Sequence, residues 1–150
     1  MTTALPYQTA KNGAGALAET HKILSKFGCE SFGTMIDAER GVTMVQFRWR
    51  GRMVALEASW RGYAAAYMRA NPSRGRIPAA ERDRRAIEQA KLSVCSALRD
   101  WVKGQITAIE CGVMSFEAAF MPHMLLANGE RIIDRVQRDI LPAIEGKTAP

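Results

Sequence analysis

Val42–Ser59 reads VTMVQFRWRGRMVALEAS, and this stretch decides the fold. Its first half alternates: Val45, Phe47 and Trp49 fall on one face of a strand, and Met44, Gln46, Arg48 and Arg50 on the other. Gly51 then marks a tight, two-residue connection. Arg52–Ser59 alternates again, with Val54, Leu56 and Ala58 sharing a face. The period predicts a β-hairpin with one greasy face and one basic face, Arg48 and Arg50 together opposite Trp49. Upstream, Ser31–Glu39 supplies a third antiparallel strand, with Phe32, Ile36 and Ala38 on one side and a turn at Arg40-Gly41. Before it, Leu17, Ile23, Leu24 and Phe27 follow helical spacing over Ala14–Phe27, and Gly28 stops that helix.

Downstream, Pro78 opens the strongest helical signal. Proline is tolerated at a helix start, and Glu81 and Asp83 suit the positive end of the dipole. Ile87, Ala90, Val94, Leu98, Val102, Ile106 and Ile109 trace one apolar stripe, and Gly112 is placed to cap it. Gly104 is a position for a bend. A short helix is expected from Ser115, a turn at Asn128-Gly129, and a last amphipathic helix over Ile132–Leu141 that Pro142 stops or kinks. Trp60–Ala70 carries Trp60, Tyr63 and Tyr67 at helical spacing, and the run from Asn71 to Arg76 reads as a loop. The expected fold is α+β: an N-terminal helix, a three-stranded antiparallel sheet, a long helix packed on one sheet face, and C-terminal helices. Residues 1–13 read as a flexible arm and 14–146 as a single domain.

A chain of 150 residues with nearly half its residues apolar can build an ordinary core. No apolar run approaches the ~20 residues of a membrane helix. Met1–Thr9 lacks the basic start and apolar stretch of a signal peptide. Cys29, Cys95 and Cys111 are odd in number and far apart, which fits reduced thiols in a cytoplasmic protein.

The net charge of +6 is unevenly spread. Arg40–Arg85 holds eleven arginines against only Glu57, Glu81 and Asp83, and no lysine, so the remainder of the chain is slightly acidic. Guanidinium groups fork onto phosphate oxygens and stack on planar rings, so such a segment marks a polyanion partner. The candidate nucleic-acid-binding residues are Arg48, Arg50, Arg52, Arg61, Arg69, Arg74, Arg76, Arg82, Arg84 and Arg85, with Trp60, Tyr63 and Tyr67 as rings on which bases could stack. Core packing competes for those three rings.

Catalytic signals are lacking. His21 and His123 have no partner at metal-ligand spacing, and His123 lies six residues from Glu117, outside helical register. Asp37, Glu39, Glu57, Glu110 and Glu117 form no compact carboxylate motif of the kind metal-assisted phosphodiester cleavage needs. No phosphate-binding glycine loop, nucleophile elbow or HExxH run is present. No catalytic residue, metal or cofactor is implied.

The run from Val102 to Phe120, followed by Pro122-His123-Met124-Leu125-Leu126 and Asn128-Gly129, resembles a family of small uncharacterised bacteriophage and prophage proteins often encoded among replication and recombination genes. Phe27-Gly28, Phe32, Phe47 and Gly51-Arg52 carry the N-terminal part of the resemblance, which spans roughly 17–57 and 97–144. Trp60–Asn71 departs from the polar, proline-rich linker of such proteins. The resemblance implies a bacterial cytoplasmic setting and a nucleic-acid partner, and it transfers no activity. The order of helix, three strands and long helix also resembles phage single-strand annealing proteins and double-stranded-RNA-binding domains. The expected function is non-enzymatic binding of nucleic acid, single-stranded DNA favoured, in replication or recombination. The alternatives are an oligomeric phage protein that engages a host factor, and a metal-dependent nuclease.

Overall fold

The computed structural model describes residues 4–72 and 75–146. Helix α1 (Gly13–Phe27) begins where the Asn12 side chain accepts from the Gly15 amide, and it ends at Gly28 in the left-handed region. Strands β1 (Glu30–Asp37), β2 (Val42–Trp49) and β3 (Arg52–Ser59) form one antiparallel sheet in that order. Helix α2 (Trp60–Ala70) leaves β3 directly, capped by the Ser59 hydroxyl. The long helix α3 (Ala79–Glu110) follows, then α4 (Phe116–Phe120) and a 3-10 turn at Met121–His123. The C-terminal helical segment comprises α5 (Ile132–Arg135), a π-turn over Val136–Ile140, and α6 (Leu141–Ile144). The α+β architecture is therefore the expected one.

Helix α3 runs unbroken through Gly104 for 32 residues, about 48 Å at 1.5 Å per residue. Its stripe is buried at Ala90, Val94, Leu98, Val102 and Ile106. Past Cys111, the Val113 amide donates back to Ala108 O at 2.8 Å and the Gly112 amide to Ile109 O at 3.1 Å. This double closure needs the positive φ of 72° that Gly112 supplies. Pro142 does not stop the last helix. The helix widens into the π-turn just before it, a local change of register that accommodates a residue without an N–H to donate.

Two apolar clusters hang on α3. The larger joins Leu24 of α1, Val45, Phe47, Val54 and Leu56 of the sheet, Leu98, Val102 and Ile106 of α3, and Phe116 and Phe120 of α4. Trp49 stacks on Phe116 with centroids 3.9 Å apart. The smaller contains Trp60, Ala64, Ala86, Ala90 and Val94, where α2 lies on the first half of α3.

Several expectations are corrected. Residues 5–10 are pinned rather than loose. Ser93 Oγ donates to Tyr7 O at 2.8 Å, Gln89 Nε2 to Ala10 O at 2.9 Å, and the Tyr63 hydroxyl to Pro6 O. Polar groups on α2 and α3 thus satisfy backbone carbonyls of that segment. Ile36 is 58% exposed, because β1 is the sheet edge. The second sheet face is not basic: it carries Met35 and Glu57 beside buried Met44 and Ala55, and Arg48 is its one arginine. Arg50 does not share that face. The pairing of Trp49 with Arg52 leaves Arg50-Gly51 as the two-residue turn, both at positive φ. The Arg50 guanidinium folds back 4.5 Å over the Trp49 ring.

Candidate nucleic-acid interface

The arginine segment is continuous in sequence and divided in space. Gly51 and Trp60 lie at opposite ends of β3, so the hairpin tip and the start of α2 are about 27 Å apart. Helix α2 then extends to the elbow that joins it to α3. The hairpin tip meets the far end of α3, since Arg52 Nη1 donates to Glu117 Oε1 of α4 at 2.7 Å. Elbow and tip therefore lie on the order of 40 Å apart along α3.

Partners divide the arginines further. Arg40 grips Glu57 with both Nη atoms, at 3.0 and 2.7 Å. Arg52 is held by Glu117, whose carboxyl stays below the usual carboxylate range through its own backbone hydrogen bond and Arg52. Arg84 pairs with Glu88 and Arg85 with Glu81, both at 2.9 Å. Arg61 Nη2 donates to Glu39 O at 2.9 Å and to Ala38 O at 3.3 Å, which closes the β1–β2 turn. Arg48, Arg69, Arg76 and Arg82 form no ion pair among the described residues. Arg74 lies outside the described residues.

The rings divide likewise. Trp60 is 5% exposed, with the Lys91 ammonium 4.7 Å from its ring centroid, so it is a core residue and offers no face to a base. Tyr63 packs on the smaller cluster and its hydroxyl is spent on Pro6. Tyr67 packs there too, but it also lines a cleft at the elbow with Asn71, Arg76, Ile77, Arg82 and Arg85.

That cleft, about 340 Å³, gathers four of the expected residues, Tyr67, Arg76, Arg82 and Arg85. A larger hollow at the hairpin tip is lined by Gly51, Met53, Met124 and Leu125, and its one cation, Arg52, is already paired. In the elbow cleft, Arg82 Nε is buried with no hydrogen-bond partner among the described residues. Pro78 precedes α3 without a side-chain acceptor for its first amides, and Glu81 lies in the first turn. Sequence reading could not find Asn71 as part of this place. Its Nδ2 donates to Tyr67 O at 3.0 Å and to Gln8 Oε1 at 3.3 Å, the second through a contact 63 residues away in sequence.

Among the described residues, no three His, Cys, Asp or Glu side chains gather as a metal site, and no helix is long and apolar enough to cross a membrane. Cys29 is buried and its thiol is pushed up to about 11 by desolvation, which makes it unreactive. Comparison with family models, curated proteins and solved structures finds no match to the chain.

Proposed function

We propose that this chain is a non-enzymatic nucleic-acid-binding protein of the bacterial cytoplasm that takes single strands at the α2–α3 elbow, in phage-type replication or recombination. The observation that carries the reading is the pair of arginines without carboxylate partners, Arg76 and Arg82, that line one cleft with the Tyr67 ring, together with Arg69, unpaired and exposed on α2. A guanidinium already neutralised by a carboxylate has little to offer a phosphate, and these three are not neutralised within the described residues. Single strands are favoured because a narrow cleft with one aromatic wall admits a splayed base, and a stiff duplex cannot enter it. Arg48 and Arg50 at the hairpin tip form a second, remote basic point that a flexible strand could reach. The C-terminal stripe of Ile140 and Ile144, 46% and 73% exposed, favours self-association as the second reading.

Filter binding of single-stranded DNA, duplex DNA and RNA over a salt series tests this. Affinity for single strands should fall with salt at a log–log slope of about −0.7 per phosphate contact. Arg69→Gln with Arg76→Gln should make the slope shallower by about one to one and a half units and weaken all sequences alike. No binding to any nucleic acid at low salt would remove the reading in favour of self-association.

A further inference from the structure

We infer that the elbow cleft is a one-nucleotide site, which seats a phosphate ester against Arg76 and Arg82 and a base against the ring of Tyr67. The inference rests on the nucleic-acid reading and narrows it from a basic surface to a defined pocket.

The cleft has a mixed lining. Tyr67, Pro72 and Ile77 are its apolar members, and Arg76 and Arg82 bring guanidinium groups without carboxylate partners among the described residues. A nucleotide has the same division, a flat apolar base and a charged ester. At about 340 Å³ the cleft sits near the lower end of small-ligand pockets, which run from about 300 to 1,000 Å³. That is space for one base and its phosphate, not for a stack of bases. Arg76 and Arg82 are the sharpest sign: both line the cleft and neither has a carboxylate partner among the described residues, so both guanidinium groups are left for an anion.

Asn71 supplies a reason for a base rather than any anion-bearing ring. Its Nδ2 is committed to Tyr67 O and Gln8 Oε1, which fixes the amide orientation. No hydrogen bond to its Oδ1 occurs among the described residues, which leaves an acceptor of the kind that the exocyclic amine or ring N–H of a base would meet. The pinned segment 5–10 thereby sets the cleft: Gln8 holds Asn71, while Ser93 and Gln89 hold the backbone on either side of Gln8.

Isothermal titration of the full chain with a nucleoside 5′-monophosphate, the parent nucleoside and inorganic phosphate tests this, alongside an unphosphorylated single-stranded oligonucleotide. The monophosphate should bind about tenfold or more tighter than either fragment. Arg82→Gln should weaken it about tenfold or more, Tyr67→Leu should remove the preference over inorganic phosphate, and Lys103→Gln on the far half of α3 should keep wild-type affinity. Amide shifts of wild-type protein on titration should centre on Tyr67, Asn71 and Arg82, which decides the matter even if a variant fails to fold. Oligonucleotide binding with no monophosphate binding, or shifts centred elsewhere, would overturn the pocket and leave the broader nucleic-acid reading standing. Equal affinity for monophosphate and inorganic phosphate would overturn the base contact. Failure of every ligand, oligonucleotide included, would remove both readings.

Discussion

The two ends of α3 are built from different materials. At the sheet end the helix meets Phe47, Phe120, Leu24 and Leu56, all at most 2% exposed, and the aromatic stack of Trp49 on Phe116. At the elbow end it meets α2 through Ala64, Ala86 and Ala90, with Trp60 the one large buried ring. Large side chains hold a sheet and helix at ordinary packing distance and stabilise the fold. Alanines bring two helices close and leave their outer rims to other residues, here Tyr67 and Arg82. Large buried side chains are thus concentrated at one end, and the cleft with Arg76 and Arg82, arginines without carboxylate partners among the described residues, lies at the other.

Core truncation should expose this asymmetry most strongly. Phe47→Ala removes a fully buried ring that meets Phe120 edge-on at 5.7 Å, and should cost about 3–5 kcal/mol in urea unfolding. Nucleotide binding at the elbow should persist for as long as the variant stays folded. A smaller effect, about 1–3 kcal/mol, is expected for Ala90→Leu, which overfills the 0%-exposed contact between α2 and α3. That variant should also perturb the elbow cleft, because Tyr67 packs on the same cluster. If Ala90→Leu proves as costly as Phe47→Ala, the elbow is no thinner a core than the sheet, and the contrast fails.

Much of the fold was legible from the sequence because its decisive signals are periodic and local. The stripe from Ala90 to Ile106, the alternation of Val45, Phe47, Val54 and Leu56, and the Gly51 turn each declare themselves within a few residues. The site was less legible because it depends on pairing at a distance. Arg52 belongs to Glu117 and Arg40 to Glu57, so neither remains a free phosphate ligand, and spacing alone shows neither pairing. Arg50 broke the alternation because a two-residue turn takes it out of the strand. Trp60 shares its helical face with Tyr63 and Tyr67 in sequence, yet only the arrangement of α2 against Ala86 and Ala90 decides which ring is covered. Residues 5–10 show no period because what orders them is donors on other elements.

The smallest expected effect sharpens the contrast through pH. At the sheet end His123 is half-buried against Trp101, with ring centroids 5.5 Å apart, and its Nδ1 has no partner among the described residues. Burial, and then the nearby Arg131 charge, lower its pKa below the usual imidazole value, while Glu57 pulls the other way. A lowered pKa means that the unfolded chain binds the proton more readily than the folded one. Stability from this group is therefore fully present above the ordinary histidine pKa of about 6.5 and is lost as pH falls through the lower folded value. The carboxyls of Asp134, held low first by its hydrogen bond from Arg131, and of Glu130, held low first by Arg138, lose their contribution only at more acidic pH. Thermal melts between pH 7.5 and 5 should show a gentle fall in Tm for the wild-type chain and a flatter profile for His123→Asn. An Arg82→Gln variant should keep the wild-type profile. A wild-type slope that survives in His123→Asn and disappears in Arg82→Gln would place the pH-sensitive element at the elbow, reversing the division of roles between the two ends.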